Sequence, residues 1–297
     1  MLDFNDAVKP AHANGHFYNP VCDRNELRER EATLWPGHPR CDEIDFNDKG
    51  QLDLLQTAFL RYVSEYDYPE KIEDSENLTQ FYTRNSQFSW LDSRALFVLL
   101  RYWQPRRLIE VGSGYSSLLV ADVNRRFFNN GMDVTCIEPF PRPFLKQGLS
   151  GVKRVTVSKV KDVPLAAFES LEAGDVLFID SSHVAKTGSD VNHLFFNVLP
   201  RLNAGVRIHF HDIFLPFEYP KAWTLGENRS WNEQYLLRAL LTYSNGYRVL
   251  FSCCYAEHRF HAQVATALAH PKGYALSGSS FWIEKTAPAL RTPQTQL

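Results

Sequence analysis

Cysteine is scarce in this chain of 297 residues: there are five, Cys22, Cys41, Cys136, Cys253 and Cys254, an odd number that forms no Cys-x-x-Cys pair beside metal-ligand partners. That argues against a scaffold stapled by disulfides or zinc, and reduced thiols in a cytoplasmic protein are expected. Long hydrophobic runs are missing as well, since no apolar stretch reaches the roughly 18 residues of a membrane span. The polar, acidic start Met-Leu-Asp-Phe-Asn-Asp has neither the charged region nor the apolar run of a secretory signal. No contact with a membrane is expected. Charge of one sign is not in excess either: 32 Lys and Arg stand against 34 Asp and Glu, for a formal charge of -2 and a pI near 6.6. Such a balance gives no global field to hold a phosphate backbone, so no nucleic-acid partner is expected. Internal repeats and low-complexity segments are absent too.

With 44% hydrophobic and 13% aromatic residues the chain can bury a substantial core. Its length suits one catalytic domain with an N-terminal extension. The division expected is an arm and helical cap over residues 1–80 and a cofactor-binding domain over 81–297. Residues 1–50 carry many Pro, Asn, Asp and Gly with little periodicity and read as irregular. Helical spacing appears over 51–66 and again over 90–103. Strands are then expected at 107–111, 133–138, 153–157, 175–180, 205–211, 247–254 and 280–284, with helices at 115–128, 188–199 and 231–243 between them. Alternation of this kind predicts an α/β fold, a mostly parallel sheet covered by helices on both faces. The uninterrupted apolar run Val176-Leu177-Phe178-Ile179 fits a strand buried on both sides.

The most informative stretch is Arg107-Leu-Ile-Glu-Val-Gly-Ser-Gly-Tyr-Ser-Ser117, a strand that runs directly into Gly112 and Gly114. Glycines there let a chain turn sharply and let its backbone approach a ligand. A dinucleotide fingerprint wants a third Gly or Ala, but Ser117 stands in that place, and Glu110 would repel a phosphate. An acidic residue beside the glycines suits a cationic cofactor without phosphate, such as S-adenosylmethionine. Ligands of open parallel sheets lie beyond the carboxyl ends of the strands. Four of those ends carry polar groups: Glu110 and Gly112 on the first, Glu138 on the second, Asp180 on the fourth, and His211 with Asp212 on the fifth. Glu138 is placed to grip a ribose with both hydroxyls free. Asp162 is a candidate for the adenine edge or for the cap of the next helix.

This ordered set resembles the class I S-adenosylmethionine-dependent methyltransferases over roughly residues 85–285. The resemblance implies a Rossmann-like sheet of seven strands with one antiparallel member, and a cofactor held by Gly112, Gly114 and Glu138. Asp180 followed by His211-Asp212 is similar to the metal-dependent small-molecule O-methyltransferases, which usually carry Asp-Asp or Asp-Asn where this chain has His211-Asp212. Two readings stay open here. Either Asp180, His211 and Asp212 hold a divalent metal ion, with histidine favouring Mn²⁺, Fe²⁺ or Zn²⁺ over Mg²⁺, or no metal is present and His211 is a base oriented by Asp212 or Asp180.

His183, three residues beyond Asp180, stands where catechol-type enzymes have a lysine base, and an imidazole can take a hydroxyl proton near neutral pH. Lys186 is a weaker candidate for that part, and His209 reads as a buried structural histidine. The expected activity is methyl transfer to a hydroxyl of a small molecule, a sugar or secondary metabolite, with His183 or His211 as the base. The aromatic loop 214–220, with Trp223, Trp231 and Tyr235, reads as a lid over the acceptor, although it could equally pack against the arm. A methyltransferase-fold scaffold without turnover and a nicotinamide-dependent oxidoreductase are the competing readings. The oligomeric state is not legible in the sequence.

Overall fold

Seven short strands carry the chain across one sheet: β1 (Arg107–Val111), β2 (Asp133–Ile137), β3 (Arg154–Thr156), β4 (Val176–Ile179), β5 (Arg207–Phe210), β6 (Tyr247–Ser252) and β7 (Phe281–Lys285). In the computed structural model, which describes residues 9–72, 78–88, 90–268 and 277–290, their order is β3-β2-β1-β4-β5-β7-β6. All neighbours are parallel except β7, which runs antiparallel to both β5 and β6. The order reverses at β1, and that switch point is where an open α/β sheet leaves a crevice at its carboxyl edge.

Strand alternation divides the core in two. Leu108, Val134, Cys136, Val176, Phe178 and Trp282 point to one face, beneath the helices Trp90–Trp103 and Tyr115–Phe128. Ile109, Val111, Ile137, Leu177, Ile179, Ile208 and Phe210 point to the other, where Leu194, Val198 and Leu237 cover them. β4 is buried along its whole length, as its unbroken apolar run predicts.

The chain before β1 is built into this core from about residue 41. Ile44 and Phe46 join the second face, and Phe46 stacks on Tyr255 at 4.0 Å. Phe59 packs against Phe251 on the first face. The outer edge of β6 would leave backbone groups exposed for stray pairing, and two side chains occupy it: Asn47 donates to the Val249 carbonyl at 2.9 Å and Gln51 accepts from the Ser252 amide at 3.0 Å. Earlier in the arm are two short helices, Arg24–Glu29 and Glu31–Leu34, the first capped by Asp23 accepting from the Asn25 amide.

β6 ends two residues before the expected 254. Ser252 is an N-cap whose hydroxyl accepts from the Tyr255 amide at 3.3 Å, so Cys253 begins the helix Cys253–Arg259. The apolar Cys253-Cys254 pair reads like strand, but it opens that helix, with Cys253 on its buried side.

Where β1 ends, Gly112 takes φ +79, and a Cβ there would lie 1.7 Å from the Asp180 carbonyl oxygen. Both features demand glycine. Gly112→Ala is therefore expected to lower the unfolding free energy by about 2 kcal/mol or more, measured by denaturant titration. An unchanged midpoint would contradict this packing.

Candidate active site

Sheet pairing continues past the ends of the strands and aligns the residues that follow them. The Gly112 amide donates to Ile137 O at 3.0 Å, the Asp180 amide to Val111 O at 2.9 Å, the His211 amide to Ile179 O at 2.9 Å and the Glu138 amide to Thr156 O at 3.0 Å. Gly112, Glu138, Asp180 and His211 thus share one rim.

A cavity of about 490 Å³ opens there, lined by Gly112, Ile137, Glu138, Phe140, Val160 and Asp180 among others. Glu138 is braced within it. Its Oε2 accepts from the Ser113 amide at 3.1 Å and its Oε1 from the Phe140 amide at 2.8 Å. Each carboxylate oxygen keeps lone-pair capacity for a further donor, the requirement for holding two vicinal hydroxyls. The cavity's size and this braced acceptor fit an adenosyl cofactor.

Three residues expected beside the cofactor lie elsewhere. Glu110 alternates onto the opposite face of β1 from Val111, and it is fully buried beneath the start of the helix Tyr115–Phe128. There it accepts from Ser116 Oγ at 2.6 Å and from Ser117 Oγ, with Cys136 Sγ at 3.4 Å. Burial pushes its pKa up. Its acidity serves the first turn of the helix rather than a bound cation. Gly114 is the N-cap of that helix and does not line the cavity. Asp162 is exposed at the end of a short turn, and Lys159, Val160 and Lys161 line the wall in its place.

Beyond Asp180 lies a cluster of acids and imidazoles. His183 is buried, with Nδ1 2.9 Å from Glu233 Oε2 and Nε2 3.4 Å from Asp180 Oδ1 and 3.6 Å from Asp212 Oδ2. Trp231 covers the ring at 4.3 Å. Burial opposes charge on this imidazole, but hydrogen bonds to Asp180 and Glu233 and the charges behind them outweigh it, so the pKa is pushed up to about 10. For Asp180 the same pairing acts in reverse: burial would raise its pKa, and the attraction of His211 and His183 holds it below the ordinary carboxylate value. His183 and Asp212 both have positive φ, 60 and 56, a conformation that costs energy in residues with a Cβ and is concentrated at functional sites.

His211 is fully enclosed, with its ring 5.1 Å from Phe88 and its Nε2 3.7 Å from Asp212 Oδ1. It does not reach the cavity. Burial lowers its pKa, but Asp212, Asp180 and Asp92 together raise it above the usual imidazole value. His209 is structural, stacked 3.8 Å from Phe178 and bonded to Ser280 Oγ at 2.9 Å.

Among the described residues, no group of three or more His, Cys, Asp and Glu is disposed to hold a metal ion. His211 reaches only Asp212, and the imidazole of His183 sits between Asp180 and Asp212, where a cation bridging them would sit. Asp180, His211 and Asp212 therefore do not fit the expected metal centre.

Two carboxylates of the cluster have no strand-end signal in the sequence. Glu233 opens the helix Glu233–Tyr243, and the amides of Asn232 and Glu233 both donate to His183 O, at 3.1 and 3.2 Å. Asp92, buried in the first turn of Trp90–Trp103, accepts from the Ser279 and Ser280 amides at 2.8 and 2.6 Å, and Ser279 Oγ donates to Asp212 Oδ1 at 3.0 Å. The aromatic loop expected as a lid is fastened to the arm: Trp35 Nε1 donates to Tyr219 O at 2.8 Å, and Lys221 pairs with Glu31.

Residues 109–213 match the model of a methyltransferase domain family. An uncharacterized protein of Archaeoglobus fulgidus is 36% identical over 164 residues, which are 53% of this chain and 72% of that one. Solved structures similar to this chain include the O-methyltransferase TomG of Streptomyces achromogenes, involved in tomaymycin synthesis, in complex with S-adenosylmethionine. It has 16% identity and a TM-score of 0.39, over 79% of this chain and 90% of that one. Another is methyltransferase PaMTH1 of Podospora anserina with bound S-adenosylhomocysteine, at 16% identity and a TM-score of 0.39, over 91% and 97% of the two chains. The sheet order and the matched domain carry the assignment: the chain belongs to the class I S-adenosylmethionine-dependent methyltransferases. Among the described residues, no helix is long and apolar enough to cross a membrane.

His183 has a folded-state pKa above its unfolded value of 6.5, so it contributes stability that is full below pH 6.5 and disappears as pH rises through about 10. In Glu233→Gln its pKa should fall by about one unit or more, followed by NMR of the imidazole. The stability lost by this variant at neutral pH should shrink toward pH 10. An unmoved titration would mean that Glu233 does not hold the charge.

Proposed function

We propose that the chain is an O-methyltransferase acting in the cytoplasm on a hydroxyl of a small molecule, a sugar or secondary metabolite. Gly112 and Glu138 hold the cofactor, and Asp180 presents the acceptor hydroxyl. His183 receives the proton. The observation that carries this reading is the imidazole held between Glu233 and Asp180, directly behind the cavity wall. S-adenosylmethionine, when bound, supplies a methyl group on a sulfonium.

Asp180 is the member of the cluster that lines the cavity, and its lowered pKa keeps it an ionised acceptor for a hydroxyl hydrogen. A carboxylate so acidic is a poor final resting place for a proton. His183 Nε2, 3.4 Å away, is a much stronger base once neutral. Its pKa of about 10 matches the value of about 10 for a phenolic hydroxyl, so transfer between them is close to thermoneutral. Glu233 fixes the ring through Nδ1 and stabilises the imidazolium that results. Trp231 covers the ring and the site excludes water from it, which strengthens each of these interactions. Alignment of acceptor and cofactor supplies the rest of the acceleration, as much as about 7 to 11 kcal/mol in the most favourable intramolecular cases. The role of His211 is to neutralise the carboxylates around Asp212 from beneath.

Three measurements test this reading. Calorimetric titration with S-adenosylhomocysteine should give binding that weakens about tenfold or more in Glu138→Ala and stays near wild type in His183→Ala. His183→Ala should abolish turnover in an acceptor screen run with and without divalent ions. A folded protein that fails to bind would leave the scaffold reading in its place. For an acceptor found by that screen, kcat/KM should climb about tenfold per pH unit from neutrality and level off near 10. A flat profile rules out His183 as the base.

A further inference from the structure

A second cavity, of about 240 Å³, opens where the N-terminal arm meets the segment 218–235. Leu27, Leu34 and Trp35 form its arm side, and Tyr219, Trp231 and Tyr235 the other. Trp231 is a wall shared with the proton-handling cluster: its ring lies 4.3 Å from that of His183, and the amide of the next residue, Asn232, donates to His183 O. A ligand in this cavity is one indole away from the base.

The polar side chains around the cavity are already engaged. Glu218 accepts from Tyr235 Oη at 2.5 Å, Arg229 Nε donates to Glu227 at 2.6 Å, Asn232 Oδ1 accepts from the Ala185 amide at 2.6 Å, and Thr224 Oγ1 donates to Pro220 O at 3.2 Å. The larger share of the lining surface is ring and aliphatic carbon, with Glu218, Arg229 and Ser230 adding a smaller polar part. A polyol buried there would leave hydroxyls without partners, at a cost for each, whereas a flat aromatic molecule gains from stacking and burial. The volume lies below the range of about 300 to 1,000 Å³ that drug-sized ligands fill, which limits the occupant to one or two rings.

We infer that this cavity is the ring pocket of the methyl acceptor, and that the acceptor is a hydroxylated aromatic compound of one or two rings whose hydroxyl reaches past the edge of Trp231 toward Asp180 and His183. This inference rests on the methyltransferase reading above and narrows its acceptor class, with the arm supplying half of the specificity pocket.

The test is binding of naphthol to the full chain, followed by tryptophan fluorescence and calorimetry, with methyl glucoside as the polyol comparison and S-adenosylhomocysteine titrated separately. Naphthol should bind saturably and methyl glucoside should not. Trp35→Ala, which removes a wall, and Thr224→Phe, which fills the space without loosening the arm, should each weaken naphthol about tenfold or more and leave S-adenosylhomocysteine affinity unchanged. Absence of naphthol binding, equal or tighter binding of the glucoside, or naphthol binding indifferent to both substitutions would overturn the assignment. Loss of S-adenosylhomocysteine binding in the unsubstituted protein would instead strike the methyltransferase reading, so the two failures are separable.

Discussion

The rim depends on how closely β1 and β4 approach where they end. The Asp180 carbonyl occupies the space a side chain on residue 112 would need, and Gly112 yields that space while turning through a left-handed conformation. Because of this contact the chain after β4 leaves directly over the mouth of the glycine turn. Asp180 faces the cavity from one side and Glu138, two strands away, faces it from the other. A larger residue at 112 would push the two strand ends apart and move Asp180 away from Glu138.

The cluster behind that rim is an electrostatic problem with a local solution. Asp180, Asp212 and Glu233 converge around His183, and Asp92 and His211 lie beneath them. Carboxylates removed from water demand a compensating charge. Here it is a proton held on His183, bonded through both ring nitrogens, with His211 adding further positive character. That charge depends on pH, so the electrostatic balance of the cluster does as well.

Most of the fold was legible because its signals are local. An unbroken apolar run marks β4, Gly112 marks the turn after β1, and polar residues at strand ends mark Glu138, Asp180, His183 and His211. The misplacements have physical causes. Strand alternation turns Glu110 to the face opposite Val111, and a serine cap ends β6 early. Glu233 and Asp92 carry no legible signal because each is an acid in the first turn of a helix, where the helix dipole alone explains an acidic residue. Only the tertiary structure brings them to His183 and Ser279. The aromatic loop was ambiguous for the same reason, since a ring that lines a cavity and a ring that fills a core look alike in a sequence.

The position of the last strand has a consequence for how the molecule comes into being. β7 lies between β5 and β6, so β6, although earlier in the chain, is not joined to the rest of the sheet until it arrives. It also brings Ser279, which lies 187 residues after Asp92 and 67 after Asp212 and links the two. Contacts of such separation form slowly, because distant parts of the chain must first be brought together. In a chain still emerging from the ribosome, the turn at Gly112 and the cavity beside it precede the residues whose hydrogen bonds fix Asp92 and Asp212.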